Sequence, residues 1–199
     1  MLDKIEFVKP RDIEARSMEI ITGELGDTAW KEPELSVVRR CIHTSADFDY
    51  NINLKFSANA CKKGIQALRN GADIVTDTRM AMSGINKRRL AEYGGQVHCF
   101  IDDETVIKEA KQRGVTRSAI CMERGAGIKK PVIFAIGNAP TALIRLYELV
   151  ESGAVKPELV IGVPVGFVNV VESKELFMQA DISWIIAAGR KGGSNVAAA

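Results

Sequence analysis

From residue 50 onward, short continuous apolar runs alternate with stretches of helical periodicity. That alternation restricts the fold more than any other feature of the chain. The apolar runs fall at 51–56, 72–76, 96–101, 131–136, 159–163 and 183–187. Each is long enough for a strand and too short for a helix. A run such as Val-Ile-Phe-Ala-Ile at 132–136 has no polar alternation, the pattern of a strand buried on both faces. Helical stretches lie between them at 58–69, 103–113, 116–125, 140–152 and 170–180, with one or two short helices in 77–94. Several end at helix-stopping glycines, as at Asn70-Gly71, Gly114 and Gly153. This rhythm predicts a parallel sheet covered on both faces and joined by right-handed crossovers. The expected fold is α/β: a three-layer α/β/α domain with a five-strand flavodoxin-like parallel sheet. Two helices, at 12–24 and 33–46, are added at its N-terminal side. Residues 1–10 read as an extended lead-in, and the small, polar tail at 192–199 as loose.

The length of 199 residues suits one domain, taken as 1–199. With 46% hydrophobic and 26% charged residues, the chain can build an ordinary soluble core without staples. A net charge of +2 gives no electrostatic case for nucleic acid. No apolar run approaches the ~20 residues that span a membrane. Charges stand where a secretory leader would be apolar, so a cytoplasmic location is expected. Cys41, Cys61, Cys99 and Cys121 have neither CxxC spacing nor a metal-ligand spacing to histidine. They read as buried thiols in a reducing compartment, and no metal is expected.

The helix at 33–46 carries the most suggestive side chains. Leu35, Val38, Ile42 and Ala46 recur as a buried stripe. Arg39 falls on its shoulder, and His43 follows at i+4 on the same face. Two readings are open. One is a site for a large, partly apolar anion; the other is a helix C-terminus with histidine near the dipole's negative end. In the helix at 12–24, Ile13, Ile20 and Glu24 share a side, with Ile21 on its flank and Ser17 among the isoleucines. Ser17 either bonds back to a carbonyl one turn earlier or points into a pocket. Other chemistries lack their signatures: there is no GxxxxGKS, no GxGxxG after a strand, and no GxSxG. His98 lies inside an expected strand and reads as a satisfied core residue. His43 is left as the best acid–base candidate.

Ligands of such sheets sit beyond the carboxyl ends of the strands. Four loops there are unusual. One, after 72–76, holds Arg79 and Ser83, with Asp77 and Thr78 as helix caps. A second is Gly137-Asn138-Ala139-Pro140-Thr141-Ala142, whose free amides would face an anion at a helix start. The third, at 162–174, is apolar, contains Gly166, and suits a flat apolar ligand. A basic loop at 189–194 contains Arg190. Singly, each is turn chemistry; together they predict a sizeable pocket.

Six segments, in order, resemble the precorrin-8X methylmutase family. They are RSMEII at 16–21, RRCIHTSAD at 39–47, DTRMAMSGI at 77–85, IGNAPTAL at 136–143, GVPVGFVNVVESK at 162–174 and GRKGGSN at 189–195. The resemblance runs from about residue 10 to residue 195 and includes the cobalt-precorrin-8 enzymes of vitamin B12 biosynthesis. It implies an isomerase that moves a methyl group within ring C, giving hydrogenobyrinate or cobyrinate, with no cofactor and no external methyl donor. It implies His43 as proton donor and Ser17 and Arg39 as substrate-binding residues. The partners implied are an anionic tetrapyrrole, with neither nucleic acid nor membrane, and a second copy in a homodimer whose active site lies near the interface. The substrate's remaining carboxylates need donors, expected from Arg79, Asn138, Ala139, Thr141, Gly166 and Arg190. A non-catalytic tetrapyrrole carrier and a flavin- or nucleotide-binding protein are the competing readings.

Overall fold

The computed structural model describes residues 5–199. The chain divides into two compact units, one ending at Ile52 and the other running Asn53–Ala199. In the first, a 3-10 turn at Pro10–Asp12 leads into α1 (Ile13–Leu25), which stops at Gly26 with φ 59°. Of the expected lead-in, residues 5–9 are irregular and 1–4 lie outside the described residues. The next helix, α2 (Glu34–Ser45), ends at Ala46, whose left-handed backbone returns its amide to the Ile42 carbonyl at 2.7 Å. Val38 and Ile42 of the expected stripe are buried, together with Cys41. Ala46 is exposed because it is the cap and not part of the helix. On α1 the expected side is turned outward: Ile21 is buried, while Ile13 and Ile20 are 52% and 42% exposed. Arg40 and Glu14 form an ion pair that links the two helices.

The helical turn α3 (Tyr50–Asn53) spans the junction and runs into β1 (Leu54–Phe56). Then come α4 (Ala60–Arg69), β2 (Asp73–Thr76), α5 (Arg79–Gly84), α6 (Lys87–Glu92) and β3 (Val97–His98). The chain continues through α7 (Glu104–Arg113), α8 (Arg117–Ala126), β4 (Val132–Ile136) and α9 (Pro140–Glu151). It closes with β5 (Leu159–Gly162), α10 (Val170–Phe177), β6 (Trp184–Ala187) and α11 (Ser194–Ala198).

The six strands lie in the order β1-β6-β5-β4-β2-β3. Counted without β1, the five parallel strands read 2-1-3-4-5, the flavodoxin-like order expected from the sequence. The sixth strand, β1, is antiparallel on the edge, with Leu54 opposite Ala187. It is shorter than the run at 51–56 because the first residues of that run close a helical turn. The β3 strand holds two residues where six were expected. Past His98 the chain turns at once, with the Asp103 amide on the Phe100 carbonyl at 3.1 Å.

Strand order reverses between β2 and β4, which run parallel, so right-handed crossovers send helices to opposite faces. Val132, Phe134, Ile136, Val160 and Ile186 face one layer, in a core with Ile120 and Met122 of α8, Leu143 and Leu146 of α9, and Phe177 of α10. The alternate residue Leu159 meets α4, where Gly64 leaves no room for a Cβ. Each fully buried large side chain contributes roughly 1.5–3 kcal/mol. The tail differs from expectation: Ser194, Val196 and Ala197 are buried. Its small residues serve close approach, since a Cβ on Gly84 would lie 2.7 Å from Ala198 and one on Gly137 would lie 2.6 Å from Ser194. Among the described residues no helix is long and apolar enough to cross a membrane.

Candidate active site

In the first unit, α2 carries Arg39 and His43 one turn apart. Arg39 is half-buried, with Nη1 3.6 Å from Glu32 Oε1. Its Nε is buried and has no hydrogen-bond partner among the described residues. Leaving such a donor unmet costs about 1–3 kcal/mol. His43 is exposed in the helix's last turn. On α1, the Ser17 hydroxyl donates to the Ile13 carbonyl at 2.9 Å, the back-bond that was one of its two readings. Its oxygen keeps acceptor capacity. Ser17 stands three residues past Glu14 and His43 three past Arg40, so both flank the Glu14–Arg40 link between the helices.

In the second unit, the crevice between β2 and β4, where strand order reverses, is filled by the chain itself. Asp77, just past β2 and 1% exposed, accepts the amides of Gly137 at 2.9 Å, Asn138 at 2.8 Å and Ala139 at 2.8 Å. Burial pushes its carboxyl above the ordinary range, against the pull of those three amides. The amides of Asn138 and Ala139, expected to be open to a ligand, are therefore engaged by an internal carboxylate. The cap of α5 is Thr78, which accepts the Ala81 amide at 3.0 Å; its hydroxyl also lies 2.8 Å from that of Ser194. Thr141 accepts a hydrogen bond from Thr116 at 2.9 Å, in a groove of about 350 Å³ lined by Arg113, Ile144 and Arg145. Arg79 donates to Asp102 at 2.8 Å. His98 sits 2.9 Å from Asp73, the first residue of β2, at the strand end opposite Asp77, and is satisfied there.

The loops after β5 and β6 are open by contrast. Phe167 and Val168 are 81% and 78% exposed. The Arg190 guanidinium lies over the Phe167 ring, 5.5 Å from its centroid, and the Gly166 amide donates to the Arg190 carbonyl at 3.3 Å. Gly193 bonds the Val163 carbonyl at 2.9 Å, tying the two loops together. The structure thus brings Gly166 and Arg190 together beside an apolar surface. Sequence reasoning named the loop but not Phe167. A large aromatic among Gly, Pro and Asn, four residues past a strand end, was the available signal.

The family model described as Precorrin-8X methylmutase matches residues 12–199. The cobalt-precorrin-8 methylmutase of Salmonella typhimurium is 45% identical, over 96% of this chain and 92% of its own length. That of Priestia megaterium is 43% identical, over 96% of this chain and 85% of its own. The precorrin-8X methylmutase of Pseudomonas aeruginosa is 40% identical, over 80% of this chain and 77% of its own. A crystal structure of precorrin-8X methylmutase from Thermus thermophilus superposes with a TM-score of 0.86 at 38% identity, covering 94% of this chain and 92% of that one. The likeness runs through both compact units and includes the helices that carry Ser17, Arg39 and His43: the chain belongs to the precorrin-8X methylmutase family.

Proposed function

We propose that this protein is an isomerase that moves a methyl group within ring C of an anionic tetrapyrrole, precorrin-8X or cobalt-precorrin-8, with His43 as proton donor and acceptor. The observation that carries the reading is the pairing on α2: a buried Arg39 Nε, unpaired among the described residues, one turn from an exposed His43. Arg39 holds a peripheral carboxylate through a charge-assisted bond, and Ser17 adds a polar contact. His43 gives a proton to the conjugated macrocycle near ring C, which withdraws electron density from the carbon that carries the methyl group. The methyl–carbon bond breaks as the bond to the neighbouring ring carbon forms. The proton then returns to the imidazole. No methyl donor, electron or net proton is consumed. General acid catalysis of this kind contributes ~10²–10⁴-fold.

The surface of Phe167 and Val168 suits an apolar ring face, and Arg190 a carboxylate at its edge. Arg79 is a further donor if substrate displaces Asp102. The Salmonella and Priestia relatives are named for the cobalt form, which supports that substrate. The family model spans both units, which supports reading residues 1–199 as one functional domain. A homodimer is supported by the outward Ile13 and Ile20 on either side of Ser17. Free Cys41, Cys61, Cys99 and Cys121 support a reducing, cytoplasmic location.

The test is incubation with precorrin-8X and, separately, its cobalt form, following the visible spectrum. Conversion to the corrin spectrum by the wild type, lost at least ~10²-fold in His43→Ala with binding retained, is the expected result. Binding without conversion by the wild type makes the protein a carrier, and full-rate conversion by His43→Ala removes the histidine from the chemistry.

A further inference from the structure

Lys174, in the last turn of α10, is fully buried. A lysine in that position on an amphipathic helix ordinarily reaches water. Here Nζ donates to the Gly189 carbonyl at 2.7 Å and to the Lys191 carbonyl at 2.9 Å. No carboxylate lies within ion-pair distance of it among the described residues. Burial alone drives its pKa down to about 8. A buried amine without an anion opposes folding, so a purely structural role would be served better by an apolar side chain and differently turned carbonyls.

The two carbonyls bracket a single residue, Arg190. The chain bends here, with Gly189 at φ 76°. The carbonyls of residues 189 and 191 turn inward to Lys174, while that of Arg190 turns to the Gly166 amide at 3.3 Å. One residue further on, a Cβ on Gly192 would lie 2.1 Å from the Val163 carbonyl, so the loop has no slack on that side. The backbone around Arg190 is held from both sides, and its guanidinium rests over Phe167.

We infer that Lys174 is a positioning residue: its buried ammonium fixes the carbonyls on either side of Arg190 and so presents the guanidinium to a substrate carboxylate. The inference rests on the reading of Arg190 as a carboxylate donor. Lys174 itself touches no substrate.

The test is a double-mutant cycle in the tetrapyrrole assay. Arg190→Ala raises KM about tenfold or more, the scale of one charge-assisted contact, with kcat within about threefold. Lys174→Met gives a similar rise with a similar kcat, and the double variant is no worse than either single one. Should Lys174→Met not fold, Lys174→Gln keeps an amide NH₂ that can donate to both carbonyls, and its KM falls between wild type and Arg190→Ala. Fully multiplicative effects, or a wild-type KM in a folded Lys174 variant, overturn the inference while leaving Arg190 in place. A wild-type KM in Arg190→Ala removes the reading of Arg190, and the inference with it.

Discussion

The Asp77 carboxylate accepts the amide of Ala139 at 2.8 Å, so an anion from the end of β2 caps the helix that follows β4. In doubly wound sheets of this strand order the crevice between these two strand ends is where ligands sit. Here the chain supplies its own carboxylate, which also receives Gly137 and Asn138. Asp77→Ala leaves three inward amides without an acceptor. It is expected to lower unfolding free energy by about 3 kcal/mol. Asp77→Asn keeps one acceptor oxygen and loses less. Urea unfolding of the three proteins measures both, and equal midpoints would reduce Asp77 to a bystander.

Where a residue's role depends on its near neighbours, the sequence showed it; where it depends on a distant partner, it did not. Buried parallel strands are apolar throughout, so β4 and β5 stood out, and their alternation with helices pointed to a parallel sheet. The Arg39–His43 relation follows from i, i+4 spacing alone, but the unpaired Nε depends on tertiary packing. Asp77 was readable as a cap, yet the helix it caps begins more than sixty residues later. The tail read as loose because small residues mark both mobile ends and tight approaches, and only the partners of Gly84 and Gly137 distinguish the two. Lys174 gave no signal, since a lysine in a helix's last turn is ordinarily solvated.

Acid stability should depend on Asp73. Burial raises its pKa, but hydrogen bonds from Lys130 at 2.8 Å, His98 at 2.9 Å and the Gln96 amide at 3.0 Å outweigh that and hold the carboxyl below its usual range. A carboxyl whose folded pKa is depressed contributes stability above its unfolded value, about 4, and loses it as pH falls through the folded value. Below about pH 4 the wild type should lose stability more steeply than Asp73→Asn. Urea midpoints taken from pH 7 down to pH 2 measure the two slopes, and parallel curves would discount Asp73.

The alkaline side should report Lys174. Its folded pKa of about 8 lies below the ordinary 10.5. Between those values the unfolded chain holds a proton that the folded chain has released, so stability rises with pH across this window. The integrated contribution is on the order of 3 kcal/mol. Lys174→Met should lack it. Taking the difference between wild type and variant at pH 7.5 and pH 10 cancels the other titrating groups, and a flat difference would contradict a depressed lysine.

Arg39 should separate stability from function. Its Nε is buried without a partner among the described residues, and its contact to Glu32 is long, at 3.6 Å, and partly exposed, worth about 0–1 kcal/mol. Arg39→Met fills a similar volume and removes the unmet donor. Its unfolding free energy should match the wild type or exceed it by up to about 1 kcal/mol. Substrate affinity should move the other way, with KM up about tenfold or more, because the carboxylate loses a charge-assisted donor. Arg39→Lys restores the charge but has no planar fork with a buried Nε–H, so it should recover only part of the affinity. Thermal unfolding and KM measured on the same preparations decide the matter: a large loss of stability in Arg39→Met would mean that the guanidinium holds the fold rather than awaits a ligand.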